Sequence, residues 1–178
     1  METKNLIIRE SVFSDCEYFA RWEAMESVKE FFTIDEKRDY EEVVTELIQD
    51  GPDASKQHFT ICLKPGEEPI GRIFVSRLDP HYDSLDITRI YIAETDMRGK
   101  GYGEEALRRF LEYAFINLHM ERVTLDHFLA NKPAAALYEK IGFRTEGVMR
   151  NAGKKNGRYY DLMLRSMLRS EYYERSHD

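Results

Sequence analysis

Three glycines, Gly99, Gly101 and Gly103, stand between a run rich in β-branched residues and a strongly amphipathic run. Glycine has no Cβ atom, so such a segment can turn sharply and bring its backbone amides close to a ligand. The pattern predicts a strand, a tight loop and a helix whose first N–H groups lack partners. Together with the helix dipole and the charges of Arg98 and Lys100, those N–H groups favour an anion such as a pyrophosphate.

The spacing of this glycine-rich loop argues against two common nucleotide-binding loops. A Walker A loop needs Ser or Thr directly after its Gly-Lys pair, whereas Gly101 follows Lys100 here. The dinucleotide fingerprint needs Gly-x-Gly-x-x-Gly in a β-α-β unit, and neither the spacing nor the predicted element order fits it. A turn that only caps a helix remains an alternative for the loop taken alone.

Runs of β-branched and aromatic residues predict strands on both sides of the loop. Three of the runs follow one another with only turn-forming residues between them, which indicates an antiparallel meander. Asn156-Gly157 predicts a tight hairpin turn between the last two runs. The predicted strands span residues 5–9, 58–64, 70–78, 84–93, 122–128, 144–151 and 158–167.

Apolar residues at helical spacing predict helices at 40–48, 106–118 and 133–141. Ser14-x-x-Glu17 has the form of a capping box and predicts that a first helix begins at Ser14. The resulting order, β-α-α-β-β-β-α-β-α-β-β, predicts an α/β (α+β) fold in which helices pack on a largely antiparallel sheet.

Composition narrows the class of protein. The 178 residues, 42% hydrophobic and 33% charged, predict a single domain, 1–178, with a polar tail over about 170–178. A net charge of −7 argues against a nucleic-acid-binding surface. No stretch has the length and apolarity of a membrane span or a signal peptide, so a cytoplasmic location is expected. Cys16 and Cys62 are far apart and the histidines do not cluster, so neither a disulfide nor a metal site is expected.

A second motif lies beyond the loop. Asn131 precedes a predicted helix that contains the run Leu137-Tyr138-Glu139-Lys140-Ile141-Gly142-Phe143. With Arg98-x-x-Gly101-x-Gly103, this run makes the chain similar to the GCN5-related N-acetyltransferase (GNAT) superfamily. The resemblance implies a three-layer fold with a mixed, mostly antiparallel sheet of about six to seven strands and helices on both faces. Residues 142–147 and 157–161 resemble the branch that includes ribosomal-protein alanine and polyamine acetyltransferases.

The resemblance also implies a site for acetyl-CoA, used as a co-substrate without a metal. Backbone groups at the end of the strand 84–93 would face the pantetheine arm, and the glycine-rich loop would hold the pyrophosphate. Asn131 would contact the pantetheine arm, cap the helix, or do both. Lys140 would approach the phosphate end or remain a solvated helix lysine. The implied cofactor-binding residues are Ile90, Tyr91, Ile92, Arg98, Gly99, Lys100, Gly101, Tyr102, Gly103, Asn131 and Lys140.

Tyr138 is the candidate catalytic residue. A phenol with a pKa of about 10 is protonated at neutral pH and can supply a proton to a departing thiolate. Packing of one face of the short helix is the competing role for this tyrosine. The attacking amine must also lose a proton, because an ordinary alkylamine is charged at neutral pH. Asp86, Glu94 and Asp126 lie near predicted strand ends, but the sequence does not identify the base among them.

Aromatic residues near the first helices fall where members of the family place the wall of the acceptor site. Packing into the core is the competing role for each ring. These residues are Tyr18, Phe19, Trp22, Phe31 and Phe32.

The predicted function is N-acetyl transfer from acetyl-CoA to a primary amine, by direct attack in a ternary complex. The acceptor stays open between a small amine such as a polyamine and a protein N-terminus. Acetyl-CoA and the acceptor are the expected partners, without nucleic acid or membrane, and a homodimer is left open. The alternatives are a non-catalytic acyl-CoA-binding regulatory module, which needs no functional Tyr138, and a phosphate-binding loop for an unrelated nucleotide.

Overall fold

The computed structural model describes residues 1–34 and 38–175, in which the chain forms seven strands and six α-helices. The strands are β1 Leu6–Glu10, β2 Gln57–Leu63, β3 Glu68–Asp79, β4 Ser84–Ile92, β5 Arg122–Phe128, β6 Arg144–Lys155 and β7 Arg158–Leu168. The helices are α1 Cys16–Glu23, α2 Glu26–Lys29, α3 Tyr40–Asp50, α4 Tyr102–Glu112, α5 Lys132–Ile141 and α6 Arg169–Arg175. Every strand and helix predicted from the sequence is present, and α2 and α6 are additional.

All seven strands join one sheet in the order β1-β2-β3-β4-β5-β7-β6. Neighbouring strands are antiparallel except β4 and β5, which are parallel, so the predicted mixed and mostly antiparallel sheet is confirmed. The parallel pairing joins only residues 84–86 to residues 122–124. Beyond these residues β4 and β5 do not pair with each other, and a cleft opens between their ends.

Helices cover both faces of the sheet. Alternate residues of a strand point to opposite faces, so each face receives its own apolar set. Leu107 and Phe110 of α4 pack with Ile73 and Val123 in the larger core, which also receives Tyr138 of α5. A second, smaller core lies on the other face under α1 and α3; it contains Phe19, Trp22, Val28, Val43 and Tyr91.

A buried network of charges lies between the sheet and the helices α1 and α3. Arg72 of β3 is fully buried and donates hydrogen bonds to Glu23 at 2.5 Å and to Glu46 at 3.1 Å. Arg38 and Arg89 also form ion pairs with Glu46. We call these five residues the arginine–glutamate cluster. Because each charge depends on the others for its pairing, loss of one member leaves buried charge uncompensated.

The predicted capping box at Ser14 is wrong. The α-helix begins at Cys16, after a 3-10 turn, Phe13–Asp15. Asp15 is buried and accepts two hydrogen bonds from Arg9 of β1, at 2.7 and 2.8 Å. This ion pair, together with the hydrogen bond that Asp15 accepts from the Val12 N–H at 2.8 Å, holds the turn before the helix. Neither contact is part of the Ser14-x-x-Glu17 pattern.

Residues 170–175 of the predicted polar tail belong to the helix α6. Tyr172 stacks on Phe115 with 5.0 Å between ring centroids, and Glu171 forms an ion pair with Arg144 at 2.9 Å. These contacts attach the helix to the body of the chain despite its polar composition. Residues 176–178 of the predicted tail lie outside the described residues.

The hairpin predicted at the end of the sheet is confirmed. Asn156 and Gly157 form the turn between β6 and β7, with φ angles of 49° and 77°. Positive φ at both central residues is the geometry of a type I′ turn, whose twist matches that of the flanking strands. The Asn-Gly pair therefore fixes how β6 pairs with β7.

Candidate active site

The cleft between the diverging ends of β4 and β5 has a volume of about 530 Å³. It brings together residues from both sequence motifs, since the glycine-rich loop lies at one strand end and α5 follows the other. The predicted site residues in its lining are Ile90, Tyr91, Ile92, Arg98, Gly99, Gly103, Asn131 and Tyr138. Lys100, Gly101, Tyr102 and Lys140 are absent from the lining.

The glycine-rich loop has the backbone geometry that its sequence predicts. Gly99 and Gly101 have φ angles of 73° and 87°, and a Cβ atom at either position would meet no neighbour within 4 Å. Glycine is therefore needed for the left-handed backbone and not for lack of space. Gly101 is the N-cap of α4 and no side chain caps this helix end. The first N–H groups of α4 are thus left available to an anion.

Arg98 holds the loop against the sheet. Its Nε donates to the Ile92 carbonyl and its Nη2 to the Ala93 carbonyl, both at 2.9 Å. Burial lowers the pKa of this guanidinium from its ordinary value. Lys100 is exposed, with its Nζ 3.9 Å from the sulfur of Met97. The loop thus offers its backbone and the charge of Arg98 to the cleft, while Lys100 points elsewhere.

The edge of β4 that faces the cleft pairs with β5 only at residues 84–86, so its later backbone groups have no strand partner on this side. The Ala93 N–H donates to Ile70 at 2.9 Å, next to the strand pairing between β4 and β3. Since backbone groups of successive strand residues point to opposite edges, those of Ile92 and Ile90 point toward the cleft and those of Tyr91 toward β3. The backbone of Ile90 and the N–H of Ile92 can therefore bind an extended ligand arm, whereas the Ile92 carbonyl accepts from Arg98. Tyr91 contributes its ring.

The structure separates the alternatives for the two polar residues of the second motif. The Asn131 side chain accepts a hydrogen bond from the Ala134 N–H at 3.1 Å, so it caps α5 while also lining the cleft. Lys140 forms an ion pair with Glu104 of α4 at 2.6 Å and is 64% exposed. It therefore links α5 to the first turn of α4 and does not enter the cleft.

Tyr138 packs inside the cleft wall. Its ring centroid lies 5.7 Å from that of His127 and 5.9 Å from that of Phe143, and the residue is 7% exposed. Within the described part of the chain its hydroxyl makes no hydrogen bond. Burial, and then the negative charge of Asp126, raise the pKa of Tyr138 above its ordinary value. The phenol is therefore protonated at neutral pH and free to donate.

Two of the three carboxylates considered as a base line the cleft, namely Asp86 and Asp126. Asp86 accepts hydrogen bonds from Thr124 at 2.7 Å and from Thr88 at 3.1 Å. The third carboxylate, Glu94, accepts from the Trp22 indole at 3.3 Å and is outside the lining. Of the three candidate carboxylates, only Asp86 and Asp126 therefore line the cleft.

The side chain of Asp126 is exposed to the cleft, although the cleft walls surround it. Removal from bulk water and then the charge of Asp86 raise the pKa of Asp126 to about 6, against an opposing effect of Arg77. Arg77 lines the cleft with a φ angle of 51°, and the sequence carries no signal for its role.

The aromatic residues near the first helices divide between core and cleft. Phe31 and Phe32 line the cleft, and the Phe32 ring lies 5.6 Å from that of Tyr91. Phe19 and Trp22 are fully buried and belong to the smaller core. Only the later part of the predicted wall therefore faces the cleft.

Residues 1–34 and 38–175 contain neither a metal-binding group of side chains nor a membrane-spanning helix. Within these ranges, no three His, Cys, Asp or Glu side chains are grouped so that they could hold a metal ion. None of the helices found there has both the length and the apolarity needed to cross a membrane.

Comparison with known proteins agrees with this geometry. The model of the acetyltransferase (GNAT) domain matches residues 5–144. The uncharacterized N-acetyltransferase p20 of Bacillus licheniformis is 26% identical over 176 residues, which cover 96% of each chain. Spermidine N(1)-acetyltransferase of Vibrio cholerae is 34% identical over 85 residues, 48% of this chain and 49% of that one.

The fold has a close counterpart among solved structures. The crystal structure of spermidine N-acetyltransferase from Vibrio cholerae in complex with CoA and spermine has a TM-score of 0.86 and 22% sequence identity. The alignment covers 96% of this chain and 99% of that chain. The predicted three-layer GNAT fold is thus confirmed, and N-acetyltransferase relatives disfavour the alternative of a non-catalytic binding module. The chain belongs to the acetyltransferase (GNAT) family and is an N-acetyltransferase.

Proposed function

We propose that the protein transfers an acetyl group from acetyl-CoA to a primary amine of a small polyamine, by direct attack in a ternary complex. The observation that carries the proposal is the single cleft shared by the glycine-rich loop, the free edge of β4, Asn131 and Tyr138. A donor bound along the free edge of β4 would place its thioester in the middle of this cleft, near Tyr138.

The donor side of the cleft suits coenzyme A. The uncapped N-terminus of α4 and the loop at Gly99 and Gly101 suit the pyrophosphate, because backbone N–H groups and the helix dipole both favour negative charge. The cleft-facing backbone groups of Ile90 and the N–H of Ile92 suit the amides of the pantetheine arm. We therefore assign donor binding mainly to the backbone, with Asn131 at the opposite wall.

The acceptor side suits a cationic amine. Asp86 and Asp126 supply negative charge, and Phe31 and Phe32 supply aromatic faces that attract ammonium groups. The partial match to a spermidine N(1)-acetyltransferase supports a polyamine over other small amines. Arg77 at the same cleft restricts where the cationic groups can lie, because like charges repel.

Tyr138 is the proposed proton donor for the departing thiolate. Its phenol is protonated at neutral pH and lines the cleft, so it can donate a proton to a thiolate formed beside it. The C–S bond of the thioester breaks as the new C–N bond forms, and CoA leaves as a neutral thiol. Catalysis then depends on positioning and proton transfer by side chains of this chain.

The proposal is tested by measuring CoA release from acetyl-CoA with a thiol reagent, together with the mass of the acceptor product. Spermidine, spermine, a monoamine of similar length and a peptide with a free N-terminal alanine serve as acceptors. We expect CoA release to depend on acceptor and the polyamines to have the highest kcat/KM.

If only the peptide is acetylated, the acceptor is a protein N-terminus and not a polyamine. The absence of CoA release with every acceptor would overturn the proposed function. Titration calorimetry with acetyl-CoA, CoA, ATP and NAD tests the donor separately, and we expect binding of the first two only. The homodimer, the single domain and the cytoplasmic location stay predictions.

A further inference from the structure

Asp126 occupies a distinctive position in the cleft. It lies on β5 just beyond Thr124, the last β5 residue that pairs with β4. Its side chain is exposed to the cleft and forms no hydrogen bond or ion pair with any residue in 1–34 or 38–175. Both carboxylate oxygens are therefore available to an acceptor molecule or to water.

The strand alternation places Asp126 on the face of the sheet from which the acceptor approaches. Thr124 donates to Asp86, so these two side chains share a face, and Asp126 follows Thr124 by two residues. His127, which points to the other face, contacts the ring of Tyr138. Asp126 thus lies on the side of Phe31 and Phe32, opposite the proposed proton donor.

Asp86 is held differently from Asp126. It is 5% exposed, and its two oxygens accept hydrogen bonds from Thr124 and Thr88. Thr88 is itself fixed by a 2.6 Å hydrogen bond with Ser76. Asp86 is therefore held in place, and both of its oxygens already have hydrogen-bond partners.

Two other bases near the cleft are already occupied. Both ring nitrogens of His127 have partners: Nδ1 lies 2.9 Å from the Phe128 carbonyl, and Nε2 accepts from Arg165 at 3.1 Å. Glu94 accepts from Trp22 and Arg21, at 3.3 and 3.5 Å, outside the cleft. Among the candidates considered, Asp126 alone combines access to the cleft with free acceptor atoms.

We propose that Asp126 is the proton acceptor for the ammonium group of the acceptor, and that the fixed charge of Asp86 positions that ammonium beside it. This inference rests on the proposed function and adds to it the base that the sequence left unidentified. Asp126 is a catalytic residue in this account because it contacts the reacting amine, whereas Asp86 is a positioning residue.

The proton balance is complete with these two catalytic groups. The ammonium gives one proton to the Asp126 carboxylate, and the freed nitrogen lone pair attacks the thioester carbon. As the C–S bond breaks, the thiolate takes the phenolic proton of Tyr138. The attacking nitrogen then loses a second proton, which returns to Tyr138 through water, and Asp126 releases its own proton to the water of the cleft.

The charged and titratable groups around Asp126 support this role. Asp86 on β4 raises its proton affinity, Arg77 on β3 opposes this effect, and Tyr138 on α5 is neutral. With a pKa of about 6, Asp126 is a stronger base than an ordinary carboxylate and is still largely ionised at neutral pH. Activity should therefore rise as pH increases through about 6.

The test compares Asp126→Asn, Asp126→Glu and a matched control, Asp53→Asn, in the turn that follows α3 and outside the cleft. CoA release with spermidine is followed from acid to neutral pH, and CoA affinity is measured by calorimetry as a check on folding. For Asp126→Asn we expect kcat to fall about 10²- to 10⁴-fold, with unchanged CoA affinity. The decrease of kcat below about pH 6 seen in the wild-type pH profile, its acid limb, should disappear in this variant. Asp126→Glu should recover part of kcat and retain an acid limb, and Asp53→Asn should match the wild type.

Two results would overturn the inference alone, given an active wild type. One is a wild-type kcat in Asp126→Asn, and the other is an unchanged acid limb in that variant. A wild-type protein that releases no CoA with any acceptor would instead overturn the proposed function, and this inference with it.

Discussion

Asp126 and Tyr138 line the same cleft from opposite faces of the sheet. Asp126 shares its face with Asp86 and Thr124, whereas Tyr138 packs against His127 on the other face. The arrangement follows from the short parallel pairing of β4 and β5, because their divergence opens the sheet at this point. An amine can then lose a proton on one face while a thiolate gains one on the other.

Replacement of Tyr138 by Phe is the most conservative test of the proton donor. The variant keeps the ring that packs against His127 and Phe143 and removes the phenolic proton. We expect kcat to fall about 10²- to 10⁴-fold, because a general acid contributes a factor of that order. Stopped-flow measurement of CoA release with saturating acetyl-CoA and spermidine checks this.

The Kd for CoA in Tyr138→Phe distinguishes catalysis from binding. We expect it to stay at the wild-type value, since the hydroxyl has no partner among the described residues whose loss would move the cleft wall. Wild-type turnover in this variant would show that Tyr138 only packs.

The glycine-rich loop can be tested with a matched pair of substitutions. Gly101 and Gly66 both have positive φ, 87° and 103°, and a Cβ atom at either would meet no neighbour within 4 Å. Alanine should therefore cost about 1 to 2 kcal/mol of stability at each position, through the left-handed backbone. Thermal unfolding of the two variants checks this expectation.

Only the Gly101 substitution should affect the donor. Gly66 lies in the β2–β3 turn, outside the cleft, whereas Gly101 is the N-cap of α4. We expect Gly101→Ala to raise the Kd for CoA about tenfold, equivalent to about 1.4 kcal/mol, and Gly66→Ala to leave it unchanged. Equal CoA affinities for the two variants would remove the loop from the donor site.

The arginine–glutamate cluster predicts how stability depends on one carboxylate. Burial alone would raise the pKa of Glu46, but the charges of Arg89, Arg72 and Arg38 outweigh it and lower the pKa to about 2. Glu46→Gln should reduce the free energy of unfolding by about 3 to 5 kcal/mol, because it leaves buried arginine charge uncompensated. Urea unfolding measures this loss, with the exposed Glu41→Gln on the same helix as the charge-matched control.

The pH dependence of the same effect has a definite sign. The Glu46 pKa is lower in the folded chain than its ordinary value of 4.5, so the unfolded chain binds more protons between these values. The stabilisation is therefore complete above about pH 4.5 and is lost as pH falls toward about 2. The difference in unfolding free energy between the wild type and Glu46→Gln should shrink over this acid range. A constant difference would contradict the lowered pKa of Glu46.

Patterns of residues close together in the sequence predicted those parts of the site whose conformation depends on the same residues. The glycines at 99, 101 and 103 and the helix that carries Tyr138 are short-range features, because backbone conformation and helical spacing are written in adjacent residues. The sequence predicted Asn131 as the N-cap of α5 for the same reason. The structure adds that this residue also lines the cleft.

Features that depend on distant residues were not predictable from these patterns. The hydrogen bond between Thr124 and Asp86 requires β4 and β5 to be parallel neighbours, although the glycine-rich loop and α4 separate these strands in sequence. The charge of Arg98 likewise gave no sign that its guanidinium also donates hydrogen bonds to the carbonyls of Ile92 and Ala93. The polar composition of α6 gave no sign of this helix, because its attachment depends on contacts with distant residues, Tyr172 with Phe115 and Glu171 with Arg144.

The central claim is that donor and acceptor meet in one cleft and react directly. Initial rates of CoA release, measured while acetyl-CoA and spermidine are both varied, test this claim. Direct attack in a ternary complex predicts double-reciprocal lines that intersect. Parallel lines would indicate a covalent acetyl-enzyme and a ping-pong mechanism, and would contradict the account.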